Sequence, residues 1–346
     1  MVNISFEGLG IEKFTVNPVA FTIPIFGGLE VRWYGLIITL GIILAFTYCA
    51  FRCKHEGIKF DDLLDIAIFT VIFGVIGART YYVLTSLGDG NYSSFYDVIA
   101  IWEGGLAIYG AIIAGGLTIF LICRYKKIKY MKMFDAVAPA VMIGQILGRW
   151  GNFFNGEAYG GAISESSPLY FIRMGLNPHN IEGVSKAAMA YVHPTFLYES
   201  LWNLTGFLII NALYKKKKFD GQVFFMYITW YGFGRMLIEG LRTDSLYVGV
   251  FRISQVVGFL CFVIGSILLT VFLIKARRER LTAMEYAPTY AKISHFDTTS
   301  KQSEAYDGDS IDTDTENDTS NENNRELDNN EERKENLNNL FKDDNN

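Results

Sequence analysis

Residues 31–51 read VRWYGLIITLGIILAFTYCAF, and the charged segment RCKHEGIK follows at 52–59. About 20 consecutive apolar residues in a helix are needed to cross the hydrocarbon core of a bilayer, which is about 30 Å thick. The stretch meets that requirement, and 50% of the 346 residues are hydrophobic and 15% are aromatic. Such a composition is unusual for a soluble globular domain. The sequence therefore predicts an integral membrane protein.

Six more stretches resemble residues 31–51 in length and apolar character, although some are short or interrupted by glycine. The seven candidate spans lie near 31–51, 62–84, 104–123, 134–150, 195–213, 222–241 and 253–274. Glycines within them, such as Gly74, Gly77 and Gly110, are typical of helices that approach closely in lipid. We predict an all-α integral membrane protein with seven transmembrane helices.

The charges between the spans predict the orientation of the chain. Four segments are rich in Lys and Arg, namely 52–59, 124–132, 215–218 and 275–280. The 85–103 segment has neither residue, and the long 151–194 segment has only Arg173 and Lys186. Cytoplasmic loops carry the excess of basic residues. We therefore predict an N-terminus outside, a C-terminus in the cytoplasm and an extracytoplasmic head segment at 151–194.

The last part of the chain differs sharply in composition from the rest. Residues 281–346 hold 17 Asp and Glu against 6 Lys and Arg, with few apolar residues. Such a segment cannot bury enough surface to offset the entropy of ordering it. We predict a transmembrane domain at 1–280 and a disordered, acidic cytoplasmic tail at 281–346, either a solvated appendage or a docking segment.

The cysteines and histidines do not form a metal-binding pattern. Cys49, Cys53, Cys123 and Cys261 lie in or beside apolar stretches without CxxC spacing. The four histidines include no HExxH motif and no pair at i, i+4. We expect no metal site, and we interpret the cysteines as residues that pack within the membrane.

Polar residues within spans are costly unless they are paired or functional, so their depth is informative. The conspicuous ones are Tyr34, Arg79, Tyr109, Arg149, His193, Tyr198, Glu199, Arg235, Glu239 and Arg242. All of them fall at the predicted outer ends of spans. A shared depth on one side of the membrane predicts a site, whereas anchoring charges would scatter over both sides.

Three of these residues are expected to share one helical face. Arg235, Glu239 and Arg242 stand at i, i+4 and i+7. If Glu239 pairs with one arginine, the other arginine lacks an acidic partner, as do Arg149 and Arg79. Surplus arginine predicts an anionic ligand, and the planar guanidinium suits a phosphate, as in a phospholipid head group. Interfacial arginines that only reach head groups are the alternative.

The most distinctive motif is GRWGNFFNGEAYG at 148–160. Asn152, Asn155 and Glu157 offer polar groups where the fourth span emerges, so we predict the lip of a pocket there. The motif resembles the signature G-R-x-G-N-F-x-N-x-E-x-x-G of the prolipoprotein diacylglyceryl transferase family and matches every fixed position. Further resemblance lies at 32–35, 102–106, 193–199 and 235–244, and in all it covers about residues 18–280.

This resemblance implies a reaction. Members of the family transfer the diacylglyceryl group of phosphatidylglycerol to the thiol of the lipobox cysteine in a prolipoprotein signal peptide and release glycerol phosphate. It also implies a multi-pass protein of the bacterial cell membrane with its active site toward the outer leaflet. The expected partners are phosphatidylglycerol, prolipoprotein signal peptides and the bilayer, without a cofactor or nucleic acid.

The resemblance also implies residues of the site. Those that correspond to functional positions of the family are Tyr34, Arg149, Asn152, Glu157, Gly160, Arg235, Glu239 and Arg242. Many relatives have His, favoured as the base, where this chain has Tyr109. Tyrosine is a poor base at neutral pH because its unperturbed pKa is about 10. We predict that Tyr109 positions a substrate and that His193 is the first candidate for the base, unless His193 only begins a helix.

Three other classes remain to be distinguished. A transporter or channel would place its polar site near the midplane, with access from both faces. An intramembrane protease would need a Ser/His pair, a metal motif or paired aspartates, none of which is evident. A membrane scaffold would leave the arginine surplus unexplained. The residue pattern favours the transferase.

Overall fold

The computed structural model describes residues 1–24, 28–87, 94–176, 190–243 and 247–278, without the side chains of Glu103 and Val248. The predicted acidic tail and Asp244 lie outside the described residues. The protein is mostly helical, as predicted, because the long apolar stretches satisfy their own backbone hydrogen bonds as helices.

Eight α-helices occur in this part of the chain. They are α1 (Trp33–His55), α2 (Phe60–Thr85), α3 (Phe95–Ile99), α4 (Ile108–Tyr125), α5 (Tyr130–Asn155), α6 (Thr195–Tyr214), α7 (Gln222–Ile238) and α8 (Ile253–Arg278). Among the described helices, α1, α2, α4, α5 and α8 are long and apolar enough to cross a membrane. The predicted fifth and sixth spans correspond to α6 and α7, which are not among those five.

Three helix boundaries differ from the prediction. The third predicted span begins only at Ile108, because Gly104 and Gly105 adopt φ angles of 92° and 70° that interrupt a right-handed helix. Helix α5 continues to Asn155, so Asn152 and Asn155 lie on its last turn and not after it. Helix α7 ends at Ile238, and a 3₁₀ turn follows. Arg242 is therefore in extended backbone and not on the predicted helical face.

The prediction of an all-α protein omitted the short strands, of which the described residues form eight. They are β1 (Val2–Phe6), β2 (Ile11–Val16), β3 (Val19–Ile23), β4 (Leu29–Arg32), β5 (Met174–Leu176), β6 (Ala190–Val192), β7 (Tyr247–Val248) and β8 (Phe251–Arg252). Strands β2-β1-β5-β6 form an antiparallel sheet, and β3 pairs with β4 and β7 with β8. The four-stranded sheet has its own core, in which Ile4 and Leu176 are buried. It joins the N-terminus to the predicted head segment.

The helices pack α1 on α5, α2 on α4, α7 on α8, and α6 against both α5 and α7. Glycines allow the closest approaches between helices, which is the role predicted for them. A Cβ on Gly110 of α4 would lie 2.2 Å from the carbonyl oxygen of Gly77 on α2. We call the end of the bundle where α5 ends and α6 begins the head end.

An ion network joins the helices at the opposite end. Lys217 contacts Glu56 at 2.6 Å and Asp135 at 3.2 Å, and the Asp135 carboxylate accepts the backbone N–H of Gly221 and Phe224. Burial lowers the pKa of Lys217, but the adjacent carboxylates offset it and leave that pKa raised. Lys217 therefore stays charged and ties the loop between α6 and α7 to α1 and α5.

Candidate active site

The centre of the head end is Glu199, on the first turns of α6. Its carboxylate receives three arginines from three different segments. Arg149 Nη2 of α5 lies 2.5 Å from Oε2, Arg235 Nη1 of α7 lies 3.2 Å from Oε1, and Arg242 Nη1 lies 3.0 Å from Oε1. Glu199 and Arg242 are buried, with 6% and 8% of their surface exposed. Charge-assisted hydrogen bonds of this kind are the strong ones, particularly away from water.

A second carboxylate completes the cluster. Arg235 Nη2 lies 2.7 Å from Glu239 Oε2, and Glu239 is only 1% exposed. Three arginines and two glutamates leave a formal net charge of +1. We call these five residues the arginine cluster. A small positive surplus in a partly dry site favours an anionic ligand.

The acidic partners of the arginines differ from the prediction. Arg149 and one arginine of 235–242 were expected to lack an acidic partner, but both Arg149 and Arg242 bind Glu199. Glu199 was noted at the predicted outer face and was not chosen as a site residue, since its partners lie far away in sequence. The suggested pairing of Arg242 with Asp244 falls outside the described residues.

Arg79 does not join the arginine cluster through any contact described. Its guanidinium donates to the carbonyl oxygens of Asp97, Val98, Gly104 and Gly105 at 2.6–3.1 Å. These carbonyls satisfy the buried charge without an acidic partner. Arg79 therefore shapes the 97–105 segment that leads into α4.

Asn152, Asn155 and Glu157 form the predicted lip. Asn152 Oδ1 accepts a long hydrogen bond from Arg149 Nη1 at 3.4 Å. The amides of Asn152 and Asn155 both donate to Glu157 Oε1, at 3.0 and 3.2 Å. Among the described residues, the buried Asn155 Oδ1 has no hydrogen-bond partner. The lip thus adjoins the arginine cluster and offers one unused acceptor.

Gly160 brings three segments together behind the cluster. Its N–H donates to the carbonyl of His193 at 2.9 Å, and it forms a β-bridge with Arg242. A Cβ at this position would lie 2.7 Å from His193 Cβ and 2.9 Å from the carbonyl oxygen of Leu241. Gly160 therefore allows the close packing that holds Arg242 in place.

Tyr34 and Tyr109 lie at the starts of α1 and α4. The Tyr34 ring packs against Gly151, where an added Cβ would lie 2.8 Å from its Cδ2, and 39% of Tyr34 is exposed. The Tyr109 hydroxyl is 2.8 Å from Ser254 Oγ on the first turn of α8. Ser254 was not singled out from the sequence, because a single hydroxyl residue gives no spacing signal.

His193 stands between β6 and α6. Its Nδ1 is 3.3 Å from the hydroxyl of Tyr198, and its backbone pairs with Gly160 and Gly161. Partial burial lowers the pKa of His193 below its usual value of 6.5. The imidazole is therefore mostly neutral at pH 7, which is the form that can accept a proton.

Comparison with known proteins assigns the sequence of this chain to a family. The profile of the prolipoprotein diacylglyceryl transferase family matches residues 18–271. A phosphatidylglycerol–prolipoprotein diacylglyceryl transferase 1 of Clostridium perfringens is 44% identical over 270 residues, which cover 77% of this chain and 98% of the relative. The chain belongs to the prolipoprotein diacylglyceryl transferase family. Transferases of Clostridium kluyveri, 41% identical over 77% of this chain and all of the relative, and Lysinibacillus sphaericus, 43% identical over 72% and 90%, agree.

The prolipoprotein diacylglyceryl transferase profile spans every residue of the arginine cluster, the lip, Tyr109 and His193. Together with the apolar helices, family membership makes the chain a multi-pass bacterial membrane protein. The resemblance inferred from the 148–160 motif is thereby confirmed.

Proposed function

We propose that this chain transfers the diacylglyceryl group of phosphatidylglycerol to the lipobox cysteine of prolipoproteins, with the arginine cluster as its phosphate site. This is the first step of lipoprotein maturation, and the relatives are named for the transfer from phosphatidylglycerol to prolipoprotein. The observation that carries the proposal is the convergence of Arg149, Arg235 and Arg242 on the Glu199 carboxylate. Because the three guanidinium groups already converge on one anionic group, they are placed where they can also bind the phosphate of a lipid.

The phosphodiester enters beside Glu199 and takes over part of its hydrogen bonding. Arg149 is the most accessible of the three, with 22% of its side chain exposed, against 16% for Arg235 and 9% for Arg242. We therefore assign Arg149 and Arg235 to direct phosphate contact and Arg242 to support. Asn155 Oδ1, which lacks a donor among the described groups, suits a hydroxyl of the glycerol head group.

The reaction is a displacement at carbon. The cysteine thiolate attacks the carbon of the diacylglyceryl group that bears the phosphate, a C–S bond forms, and the bond from that carbon to the phosphate oxygen breaks. The electron pair leaves on the phosphate oxygen as glycerol phosphate, and the thiol proton passes to a base. Arginines placed where this charge develops stabilise the transition state more than the ground state.

His193 is the first candidate for the base, and Tyr109 positions a substrate through its hydroxyl. Support comes from the lowered pKa of His193 and from the bond of Tyr109 to Ser254. A base must be deprotonated to act, so activity falls as the pH drops through its pKa. Because burial lowers the pKa of His193, the acidic limb of kcat/KM is expected below pH 6.5.

The pH profiles of three variants test this assignment. We expect His193→Gln to lose the acidic limb with about 100-fold lower activity, the usual scale of general-base catalysis. Tyr109→Phe should be less active but keep the acidic limb of the kcat/KM profile. If Tyr109→Phe is inactive and His193→Gln is unaffected, His193 is not the base. Full activity with a lowered pH optimum in Tyr109→His would make Tyr109 the base.

We further propose seven membrane-spanning helices, with α6 and α7 included, and the head end toward the outer leaflet. The alternation of basic segments supports this orientation. Exposed positions 12 and 216 lie on opposite sides in this arrangement. A membrane-impermeant thiol reagent on intact cells should label Glu12→Cys and spare Lys216→Cys. The reverse pattern would place the site in the cytoplasm.

The catalytic unit is proposed to end near residue 280. The family profile stops at residue 271, and relatives aligned over 98–100% of their length cover only 77% of this chain. The part of the chain that those relatives leave unmatched is long enough to hold the acidic residues 281–346. We assign them no part in the transfer.

The proposed function is tested directly with purified protein in detergent. Phosphatidylglycerol and a peptide with a lipobox cysteine are expected to yield glycerol phosphate and a peptide heavier by one diacylglyceryl group. A peptide with Ser in place of that cysteine is the matched control and should yield neither. Failure of the cysteine peptide to react would refute the transferase, as would glycerol phosphate release that is independent of the peptide.

A further inference from the structure

Trp202 of α6 and Trp230 of α7 bind each other beneath the arginine cluster, and we call this pair the clasp. Trp202 Nε1 donates to the carbonyl oxygen of Trp230 at 3.1 Å, and Trp230 Nε1 donates to that of Trp202 at 2.9 Å. The two rings stack, with centroids 4.4 Å apart and planes inclined by 18°. The contact is reciprocal, since each tryptophan supplies a stacked ring, an indole N–H that donates and a backbone carbonyl oxygen that accepts.

A glycine makes each half of this contact possible. A Cβ on Gly206 would lie 2.2 Å from Trp230 Nε1, and one on Gly234 would lie 2.1 Å from Trp202 Nε1. Each glycine stands four residues after the tryptophan whose carbonyl accepts the indole. In a helix that carbonyl already accepts the N–H at i+4, so the indole uses its second lone pair. Only glycine at i+4 leaves room for the approach.

The clasp lies close to the site along both helices. Glu199 precedes Trp202 by three residues and Arg235 follows Trp230 by five, which is about 4.5 and 7.5 Å at 1.5 Å per residue. Both displacements lead toward the head end, because α6 and α7 run in opposite directions. A slip of one residue between the helices would separate Glu199 from Arg235, which now meet at 3.2 Å.

We propose that Trp202 and Trp230 are positioning residues that set α6 and α7 in register, so that Glu199 and Arg235 form the phosphate site. The inference rests on the proposed function. Stacking alone would permit small slips, because a ring can slide over its neighbour. Two directional hydrogen bonds of opposite sense oppose a slip in either direction. The clasp therefore acts on phosphate binding through Glu199 and Arg235.

The test uses four variants that weaken the clasp and one that does not. Trp202→Phe and Trp230→Phe keep an aromatic ring and lose the indole N–H. Gly206→Ala and Gly234→Ala place a methyl group where the indole nitrogen of the opposite tryptophan lies. Gly116→Ala is the matched control, because a Cβ there meets nothing within 4 Å among the described atoms. We expect the clasp variants to raise the KM for phosphatidylglycerol about 10-fold to 100-fold. Their KM for the lipobox peptide should stay unchanged. In Gly116→Ala, the KM for phosphatidylglycerol and the KM for the peptide should both match the wild type.

A simple loss of folded enzyme would lower the apparent kcat and leave both KM values unchanged, which would refute the positioning role. Register is also measured without turnover, from the distance between spin labels at the exposed positions 208 and 237 in a Cys261→Ser background. We expect this distance to shift or broaden in the Phe variants, even if the Ala variants fail to fold. An unchanged distance overturns the inference. If the wild-type enzyme is inactive in the transfer assay while the distance still shifts in the Phe variants, the proposed function is refuted instead.

Discussion

Replacing Arg235 with Lys is expected to lower kcat/KM for phosphatidylglycerol by about 100-fold or more, although the charge is kept. Arg235 contacts Glu199 and Glu239 with different nitrogens, at 3.2 and 2.7 Å. A lysine ammonium is one compact charge, and it does not reproduce the planar fork whose two separate nitrogens reach Glu199 and Glu239. Removing one well-placed donor from a developing anion costs about 100-fold to 1000-fold in kcat.

Arg149→Lys is expected to behave in the same way, because Arg149 Nη2 binds Glu199 while Nη1 reaches Asn152. The matched control is Arg124→Lys, at an exposed arginine on the opposite end of the bundle. That variant should retain wild-type kinetics. Wild-type kcat/KM in both Arg149→Lys and Arg235→Lys would show that no guanidinium clamp holds the phosphate.

Glu199→Gln is expected to have the second large effect, on stability as well as on transfer. It leaves Glu239, which pairs with Arg235, as the one carboxylate of the cluster, so the formal charge of the cluster rises from +1 to +2. Removing one partner from a buried ionic network costs about 3–5 kcal/mol. The variant should therefore melt at a lower temperature in neutral detergent and lose most of its activity.

The same variant offers a sharper readout through its response to anions. Phosphatidylglycerol supplies the missing negative charge, so it should raise the melting temperature of Glu199→Gln more than that of the wild type. Phosphatidylcholine, which carries no net charge, is the lipid control. Glu12→Gln, at an exposed position on β2, is the control variant. An equal response of both proteins to phosphatidylglycerol would contradict the arrangement.

The fold was predictable where a physical requirement acts on a long stretch of sequence. The apolar length needed to cross a bilayer identified α1, α2, α4, α5 and α8. The four-stranded sheet was missed because its strands are three to six residues long and pair segments far apart, such as β1 with β5. Local periodicity carries no information about such pairing.

The site was predictable only in part, for a similar reason. Arg235 and Glu239 at i, i+4 gave a local signal, and their ion pair is present. The role of Glu199 depends on α5, α6 and α7 meeting, which no spacing reveals. Arg79 shows the reverse case, since its position in a span suggested a ligand but four backbone carbonyls satisfy it.

A structure of the enzyme with bound phosphatidylglycerol tests the central claim most directly. We predict that the lipid phosphate lies within hydrogen-bond distance of Arg149 and Arg235, beside the Glu199 carboxylate. The glycerol head group should face Asn155, and the acyl chains should extend away from the head end between the helices. A phosphate bound elsewhere, with Arg149, Arg235 and Arg242 still held by Glu199, would contradict the account.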